Sequence, residues 1–480
     1  MKMIHALAQE LLNGAGVRLP TSSVEIKTTD PILKTKTRAA EVSAAALTAQ
    51  ATLINQIWKM RTGREQKAAF DLQGASLAMQ SVFYQRLWKY AVALPEASYP
   101  TVNLFETSDK RWVMLDGGYP QIRDGYLNLL NCPNNADAIA AAVRTWEAAG
   151  LEQACADKKL PGAMVRSYAE WLSTEQGKVL AAAPPVELVK IGDAPIEGFP
   201  RSGSVYPPHG VRPLSGLRVL DMTHVIAGPT CGKVLACEGA TPLHIYSPYR
   251  PQLPAFDYDT GHGKLSAFLD VTQQEDHDRL LQLARTADVF AQSYRPGAIS
   301  GRFPPEKMAE LRPGIIYVSV SCYGFDGPWK DRPGWEQLAQ SAVGIADLEG
   351  APGAPKLTEM FYPNDYTTGN LAALGVLAAL VRRATEGGSW HVRVSLSRTA
   401  MLIMQQGVAA ASAADPKVPA EVLQRFMMEG DTRMGRLHFL GPVVRYSESL
   451  SGWDLPAAPL GVDPPEWPFW LNHWQSDVAS

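Results

Sequence analysis

The sequence predicts an α/β fold in which a doubly wound parallel sheet forms a large domain and a smaller α+β domain precedes it. From residue 217 onward, short apolar segments that suit buried strands alternate with segments of helical periodicity, and this alternation is typical of βαβ units. Before residue 184, helical segments flank a strand-turn-strand pattern within residues 101–115. These two observations separate the two domains.

The strands and helices of the large domain can be placed in order along the chain. Strands are predicted at Leu217–Leu220, Leu243–Tyr246, Asp288–Gln292 and Ile315–Ser321, and helices at 229–238, 277–286 and 306–311. Pro229 suits a first helical turn, and Gly239 can end that helix. Ligands of such Rossmann-like sheets bind at the loops after the strands' carboxyl ends, which here are 223–228, 248–264, 293–297 and 322–334.

Composition divides the chain into five parts. Residues 1–90 are predicted as a helical segment, 91–183 as the small α+β domain, 184–212 as a Pro/Gly-rich linker, 213–412 as the large domain, and 413–480 as an extended C-terminal segment rich in Pro and Trp. Long linkers are expected where proline and glycine cluster, because these residues interrupt helices and strands.

A weak internal repeat connects the first part with the fourth. When residues 41–80 are displaced by 324 positions they lie over 365–404, and both stretches read as an apolar helix, a glycine turn, a short strand and a second helix. Glu41 falls opposite Asp365 in this comparison. A duplication explains the shared plan, and so do two ordinary helix-turn-strand units.

Charge and cysteine usage exclude several function classes. The net charge of −3 offers no electrostatic attraction to nucleic acid or to an anionic membrane. The five cysteines form no CxxC pair, so we expect free thiols in a reducing compartment and no metal site. Residues 1–16 lack the pattern of a signal peptide, and the longest apolar run, 371–381, is too short to span a bilayer. A cytoplasmic location is therefore expected.

Three places in the large domain contain candidate functional residues, each with a plain structural alternative. The strand-loop-helix of residues 219–233 can present helix N–H groups to a phosphate, but it lacks the dinucleotide and phosphate-loop glycine patterns. Arg295 follows a strand and suits a phosphate contact, or it is a surface residue in a turn. Asp365 begins a long helix, where the dipole favours an ionised carboxylate and hence a nucleophile; an ordinary N-cap is the alternative. Further cations follow predicted strands at Arg250, Lys264 and Arg302.

Six segments in the second half of the chain, in order and near the expected spacing, resemble the class III CoA-transferase family. They are Pro213–Asp221, Ala227–Pro229, Tyr294–Gly297, Tyr323–Pro328, Arg332–Gly334 and Asp365–Gly369. The family includes formyl-CoA:oxalate and carnitine CoA-transferases and α-methylacyl-CoA racemase. The resemblance covers residues 213–412, and each segment alone is a weak signal.

The resemblance implies that CoA moves from an acyl-CoA donor to a carboxylate acceptor through aspartyl anhydride and enzyme-CoA thioester intermediates. Asp365 matches the family's nucleophile. The residues that the resemblance implies as CoA contacts are His224, Ile226, Ala227, Lys264, Ser293, Tyr294, Arg295, Gly334 and Trp335. Arg302 is added to them because it adjoins Gly301, which falls where the family has a basic contact. The implied cofactor is coenzyme A, bound as the acyl-CoA substrate, and the implied assembly is a homodimer.

Two other functions are compatible with the resemblance. The racemase branch has a His-Asp pair where this chain has Trp335-Glu336, and Trp cannot exchange a proton, so racemisation lacks its expected base. The order of the parts also differs from the family, since a segment that resembles the end of a large domain comes first. A CoA-binding homologue without catalysis is therefore the second alternative.

Overall fold

The computed structural model describes residues 1–27, 32–94, 99–202, 211–295, 297–409 and 418–475. Every predicted segment has residues outside these ranges: 28–31 of the helical segment, 95–98 of the small domain, 203–210 of the linker, Pro296 and 410–412 of the large domain, and 413–417 and 476–480 of the C-terminal segment. All five cysteines lie in the described part of the chain and are free thiols. No helix within the described ranges is both long enough and apolar enough to cross a bilayer.

The helices and strands are numbered in chain order. The helices are α1 (Lys2–Gly14), α2 (Ala39–Thr62), α3 (Leu72–Leu77), α4 (Pro120–Leu130), α5 (Ala136–Val143), α6 (Ala148–Asp157), α7 (Tyr168–Ser173), α8 (Glu175–Ala182), α9 (Ala227–Cys237), α10 (Pro254–Thr260), α11 (Gln274–Ala284), α12 (Pro305–Leu311), α13 (Glu336–Val343), α14 (Ile345–Glu349), α15 (Pro363–Glu386), α16 (Leu396–Gln405) and α17 (Ala420–Gln424). The strands are β1 (Val24–Lys27), β2 (Ala68–Asp71), β3 (Arg86–Leu87), β4 (Tyr90–Ala91), β5 (Val102–Glu106), β6 (Trp112–Asp116), β7 (Gly162–Met164), β8 (Glu187–Gly192), β9 (Arg201–Ser202), β10 (Arg218–Met222), β11 (Thr241–Tyr246), β12 (Leu265–Phe268), β13 (Val289–Gln292), β14 (Ile316–Ser321), β15 (Ser389–Ser395), β16 (Met427–Thr432), β17 (Gly435–Leu440), β18 (Arg445–Tyr446) and β19 (Trp474–Gln475).

A seven-stranded sheet forms the centre of the large domain, in the order β12-β11-β10-β13-β14-β15-β8. Six strands are parallel, and β8 pairs antiparallel with β15. From β10 the chain builds outward to β12 on one side, then returns and builds outward from β13 on the other. The predicted doubly wound parallel sheet is therefore confirmed. Its strand order reverses between β10 and β13, where open α/β sheets bind ligands.

Two segments predicted to lack regular structure contain strands. Part of the 184–212 linker forms β8, which adds an antiparallel edge to the large sheet. The described part of the C-terminal segment contains the hairpin β16–β17, which continues through β3 and β4 into a four-stranded sheet. The prolines that flank these strands made them difficult to predict from the sequence. A proline disfavours a strand interior at its own position but does not prevent a strand beside it.

Helix α15 runs through the interior and packs against both α9 and α2. The close approach to α9 occurs at Gly369, where an added Cβ would lie 2.4 Å from the carbonyl oxygen of Ala227. A residue larger than glycine therefore forces the two helices apart. Because Asp365 lies in the first turn of α15, this crossing sets it beside the loop that follows β10.

The stretches related by the weak repeat have matching elements. Helices α2 and α15 have 24 residues each, and their bounds, 39–62 and 363–386, differ by 324 at both ends. Each helix ends at a glycine, Gly63 or Gly387. Asp71 and Ser395, also 324 apart, both cap the helix that follows by accepting a backbone N–H. The duplication stays a prediction, with these matched bounds in its favour.

The small domain has a core of its own. Strands β5, β6 and β7 form an antiparallel sheet, and α4, α5 and α6 supply apolar residues to a separate buried cluster. A buried ion pair of 2.6 Å between Arg166 and Glu152 lies where this domain meets the large one. Helix α13 packs on β6 and β7, so the small domain adjoins the carboxyl ends of the large sheet.

Candidate active site

A cleft of about 500 Å³ opens where the strand order of the large sheet reverses. The sequence-predicted residues that line it are His224, Ile226, Ala227, Ser293, Tyr294, Arg295, Gly334, Trp335 and Asp365. They come from four separate parts of the sequence, and the fold brings them to one edge of the sheet. Lys264 and Arg302 are not among the lining residues of this cleft.

The loop after β10 and the loop after β13 are joined by hydrogen bonds. The backbone N–H of His224 donates to Ser293 Oγ at 2.9 Å, and the same hydroxyl lies 3.1 Å from His224 Nδ1. Burial, reinforced by the charges of Arg250 and His244, lowers the pKa of His224 well below its ordinary value. The imidazole is therefore neutral at physiological pH and packs against the ring of Tyr294 with centroids 4.6 Å apart.

The backbone of this loop is strained at the edge of the cleft. Val225 has φ of +68°, a conformation that β-branched residues rarely adopt. Such outliers persist only where the surrounding structure enforces them, and they occur often at ligand sites. The loop leads directly into α9, whose first backbone N–H groups have no partner within the helix and lie at the cleft through Ala227 and Gly228.

Lys264 lies in the interior, next to the cleft floor. Its ammonium donates to Asp221 Oδ2 and to the carbonyl oxygen of Pro229, both at 2.8 Å, and the side chain is almost fully buried. Burial opposes ionisation of Asp221, but the charge of Lys264 outweighs it and lowers the pKa of Asp221 to about 2. The structure thus places Lys264 as the internal counter-ion that holds the β10 loop and α9 together.

The cationic rim of the cleft differs from the predicted one. Arg295 lies on it and is exposed, whereas Arg302 is exposed elsewhere on the surface. Arg250 lines the cleft, with its guanidinium 4.6 Å from the ring centroid of Tyr294. The small domain adds Lys158 and Lys159, together with Tyr119. Motif matching could not indicate these small-domain residues, because their approach to the cleft depends on domain packing.

Asp365 occupies the inner end of the cleft. It is the third residue of α15, and 5% of its surface is exposed. Burial raises the pKa of its carboxyl group to about 7, against the favourable effect of the helix dipole. At neutral pH a substantial fraction of Asp365 is therefore an ionised, poorly hydrated carboxylate, which is the form that attacks a carbonyl carbon.

A second carboxyl group, that of Glu336, supports the start of α15. Its Oε2 accepts the backbone N–H of Asp365 at 2.7 Å, and its Oε1 accepts from Asn364 Nδ2 at 2.9 Å and from Gln340 Nε2 at 2.8 Å. Burial and the nearby charge of Asp365 raise the pKa of Glu336 well above its ordinary value. Sequence reasoning named Glu336 only as a departure from the racemase pattern.

A smaller pocket of about 70 Å³ meets the cleft at Asp365. Tyr119, Val225, Ile226, Trp335 and Asp365 line both spaces. A long ligand in the cleft can therefore extend a short group past Asp365 into this pocket. An ionisable carboxylate at the junction, in a cleft that the start of α9 also lines, suits attack on an acyl group.

Comparison with known proteins finds similarity to CoA-transferases. Residues 214–429 match the profile of CoA-transferase family III. An acyl-CoA transferase of Gibberella moniliformis is 32% identical over 332 residues, covering 65% of this chain and 58% of the relative. The acetyl-coenzyme A transferase nodX of Hypoxylon pulicicidum is 31% identical over 315 residues, covering 62% and 53%. The chain thus spans little more than half the length of these curated relatives.

Shorter matches extend to bacterial proteins. A formyl-CoA:oxalate CoA-transferase of Rhodopseudomonas palustris is 33% identical over 196 residues, covering 38% of this chain and 46% of the relative. The crystal structure of Rv3272 from Mycobacterium tuberculosis is 29% identical, covers 41% of this chain and 60% of that one, and superimposes with a TM-score of 0.38. Residues 214–429 are thus similar to CoA-transferase family III, as the profile and these sequence relatives show.

Proposed function

We propose that the protein transfers coenzyme A from an acyl-CoA donor to a carboxylate acceptor, with Asp365 as the covalent nucleophile. The observation that carries the proposal is the position of Asp365, buried where the large cleft meets the small pocket. A CoA moiety in the cleft and its acyl group in the pocket would bring the thioester carbon to this carboxylate. The match of residues 214–429 to the profile of CoA-transferase family III supports CoA as the group transferred.

The proposed reaction exchanges the carboxylates without consuming water. An oxygen of Asp365 attacks the thioester carbon, the C–S bond breaks, and CoA leaves as a thiolate, which gives an aspartyl anhydride. The thiolate then attacks Cγ of Asp365 and releases the donor acid, leaving an aspartyl-CoA thioester. The acceptor carboxylate repeats these two steps in reverse, so Asp365 is regenerated. Division into smaller steps is the general gain of covalent catalysis.

Groups around Asp365 have distinct parts in this proposal. The free N–H groups at the start of α9, near Ala227, would stabilise the oxyanion of each tetrahedral intermediate. Arg250, Arg295, Lys158 and Lys159 would attract the CoA phosphates to the rim of the cleft. His224 is neutral and would serve as a packing and hydrogen-bonding surface for the pantetheine arm. Lys264 would act indirectly, because its ammonium is bound to Asp221 and Pro229.

Trapping of the covalent intermediate tests the proposal. We expect incubation with acyl-CoA and hydroxylamine to convert Asp365 to a hydroxamate, detected by mass spectrometry of the peptide. Asp365→Asn should abolish both the adduct and the transfer, whereas Asp347→Asn, an exposed acid on α14, should retain them. An intact Asp365 peptide across a panel of donors, with no transfer, would favour a homologue that binds CoA without catalysis.

The racemase alternative has its own test. Racemisation requires exchange of the α-proton of the acyl group with solvent, and Trp335 cannot mediate it. Incubation of a 2-methylacyl-CoA in D₂O should therefore leave the α-position free of deuterium. Enzyme-dependent deuteration that survives in Asp365→Asn would replace the transferase proposal.

A further inference from the structure

The pocket beyond Asp365 has a lining that restricts what can enter it. Its walls are formed by Val102, Ile226, Leu253, Phe256, Trp335 and Tyr362. The ring of Phe256 packs edge-on against that of Tyr362, with centroids 6.2 Å apart, and Phe83 supports Tyr362 from behind at 5.1 Å. Tyr362 is therefore fixed by two aromatic contacts, and this part of the pocket wall is apolar.

Three carboxyl groups line the pocket. They belong to Asp116, Glu336 and Asp365, each 5% exposed or less. Lys, Arg and His are absent from the described residues of this lining. The cations near the site, Arg250 among them, line the large cleft on the far side of Tyr119 instead. A negative charge placed in the pocket would lose its hydration beside three carboxyl groups, without a counter-ion.

The size of the pocket limits the length of the group. A buried cavity of about 150 Å³ accommodates benzene, and this pocket has about half of that volume, roughly 70 Å³. The space suits about three or four non-hydrogen atoms beyond the reacting carbonyl. Phe256 and Tyr362 are the two mutually packed rings of its lining.

From this lining we infer that the acyl donor and the carboxylate acceptor are short, apolar monocarboxylates of about two to five carbons, and that dicarboxylates are rejected. The inference rests on the proposed function, because it assigns the acyl group to the pocket beside Asp365. A second carboxylate is disfavoured because the described lining of the pocket has no cation to pair with it. Longer chains are disfavoured because the pocket, with Phe256 and Tyr362 in its wall, is too small for them.

Butyryl-CoA and succinyl-CoA provide a matched pair of probes, since both have four acyl carbons and differ at the end that enters the pocket. We expect kcat/KM for butyryl-CoA to exceed that for succinyl-CoA by about 100-fold or more, because the terminal carboxylate of succinyl-CoA would be buried unpaired. With these acids as acceptors, kcat/KM for butyrate should likewise exceed that for succinate. Equal or better use of the succinyl compounds would overturn the inference.

Two substitutions should change the preference for acyl groups, one with respect to charge and the other with respect to chain length. Gln337 lines the pocket and is partly buried, so Gln337→Arg adds a counter-ion and should raise the succinyl-to-butyryl ratio of kcat/KM at least tenfold. Phe256→Ala enlarges the pocket and should raise the octanoyl-to-butyryl ratio about tenfold or more. Phe256→Leu, which keeps more of the packing, is the substitute should the alanine variant fail to fold. Unchanged ratios in folded variants would show that the acyl group lies elsewhere.

Failure of this inference and failure of the proposed function give different results. A hydroxamate at Asp365 formed equally well from succinyl-CoA and butyryl-CoA would retain the transferase and discard the pocket assignment. No hydroxamate from either donor would discard the transferase itself.

Discussion

The backbone N–H of Asp365 donates a 2.7 Å hydrogen bond to Oε2 of Glu336, so two buried carboxyl groups share the first turns of α15 and α13. Like charges this close cannot both ionise readily, and their protonation is therefore coupled. Burial and the charge of Asp365 raise the pKa of Glu336 well above its ordinary value, so a charged Glu336 is disfavoured beside an ionised Asp365.

Replacement of Glu336 separates positioning from proton transfer. Glu336→Gln retains an oxygen that can accept from Asp365 N–H, so we expect kcat to fall less than about tenfold. Glu336→Ala removes the acceptor from three donors and should lower kcat by about tenfold or more, with a lower melting temperature. Steady-state kinetics and thermal unfolding of both variants provide the test. Complete loss of turnover in the Gln variant, with an unchanged melting temperature, would instead assign proton transfer to Glu336.

The raised pKa of Asp365 predicts the pH dependence of activity. The attacking form is ionised, and the pKa is about 7, so kcat/KM should rise about tenfold per pH unit below pH 7 and level off above it. A profile of kcat/KM between pH 5 and 9 with butyryl-CoA measures this limb. A profile that is flat down to pH 5 would indicate that Asp365 is ionised throughout the range.

The same shift predicts a stability difference with a defined sign. Folding raises the pKa of Asp365 from about 4 to about 7, so the unfolded state binds fewer protons between these values and stability falls as pH rises through them. The side chain in Asp365→Asn cannot ionise, so this variant does not lose stability in this way as the pH rises. Its melting temperature should exceed that of the wild type by an amount that grows from pH 4 to pH 7 and then stays constant. The corresponding difference in unfolding free energy has an upper bound of about 4 kcal/mol. A gap that shrinks as the pH rises would contradict the assignment.

Substitution of Lys264 tests whether its main effect is on folding or on binding. Lys264→Met leaves Asp221 buried without its counter-ion and should cost about 3–5 kcal/mol of unfolding free energy. Lys307→Met removes an exposed partner of Glu310 and should cost less than about 1 kcal/mol. Adding Asp221→Asn to Lys264→Met should restore part of the stability. A raised KM for acyl-CoA without any loss of stability would assign Lys264 to direct CoA binding.

The cationic rim can be tested with two matched arginines. Arg250 lines the cleft, whereas Arg302 is exposed and lies outside its lining. Arg250→Gln should raise KM for acyl-CoA about tenfold with little change in kcat, and should weaken the salt dependence of KM. Arg302→Gln should change neither. Equal increases of KM in the two variants would mean that CoA extends across the surface to Arg302.

The sequence by itself determined the features that depend on neighbours along the chain. Alternating apolar and helical periods predicted the parallel sheet, and the structure confirms it. The segments from Pro213–Asp221 to Asp365–Gly369 predicted the family, which the profile match confirms. Asp365 at a helix start was also readable, because a helix N-terminus has a local signature. The roles of the individual site residues stay predictions.

Only the tertiary structure decided the features that join distant residues. Three contacts join residues that are far apart in sequence. Lys264 pairs with Asp221, and Glu336 accepts the backbone N–H of Asp365. Lys158 and Lys159 of the small domain line the cleft. The shape and charge of the pocket beyond Asp365 likewise depend on how α10, α13 and the small domain pack. Local periodicity fixes which elements form, but packing and desolvation over long separations fix which side chains meet and in which charge state.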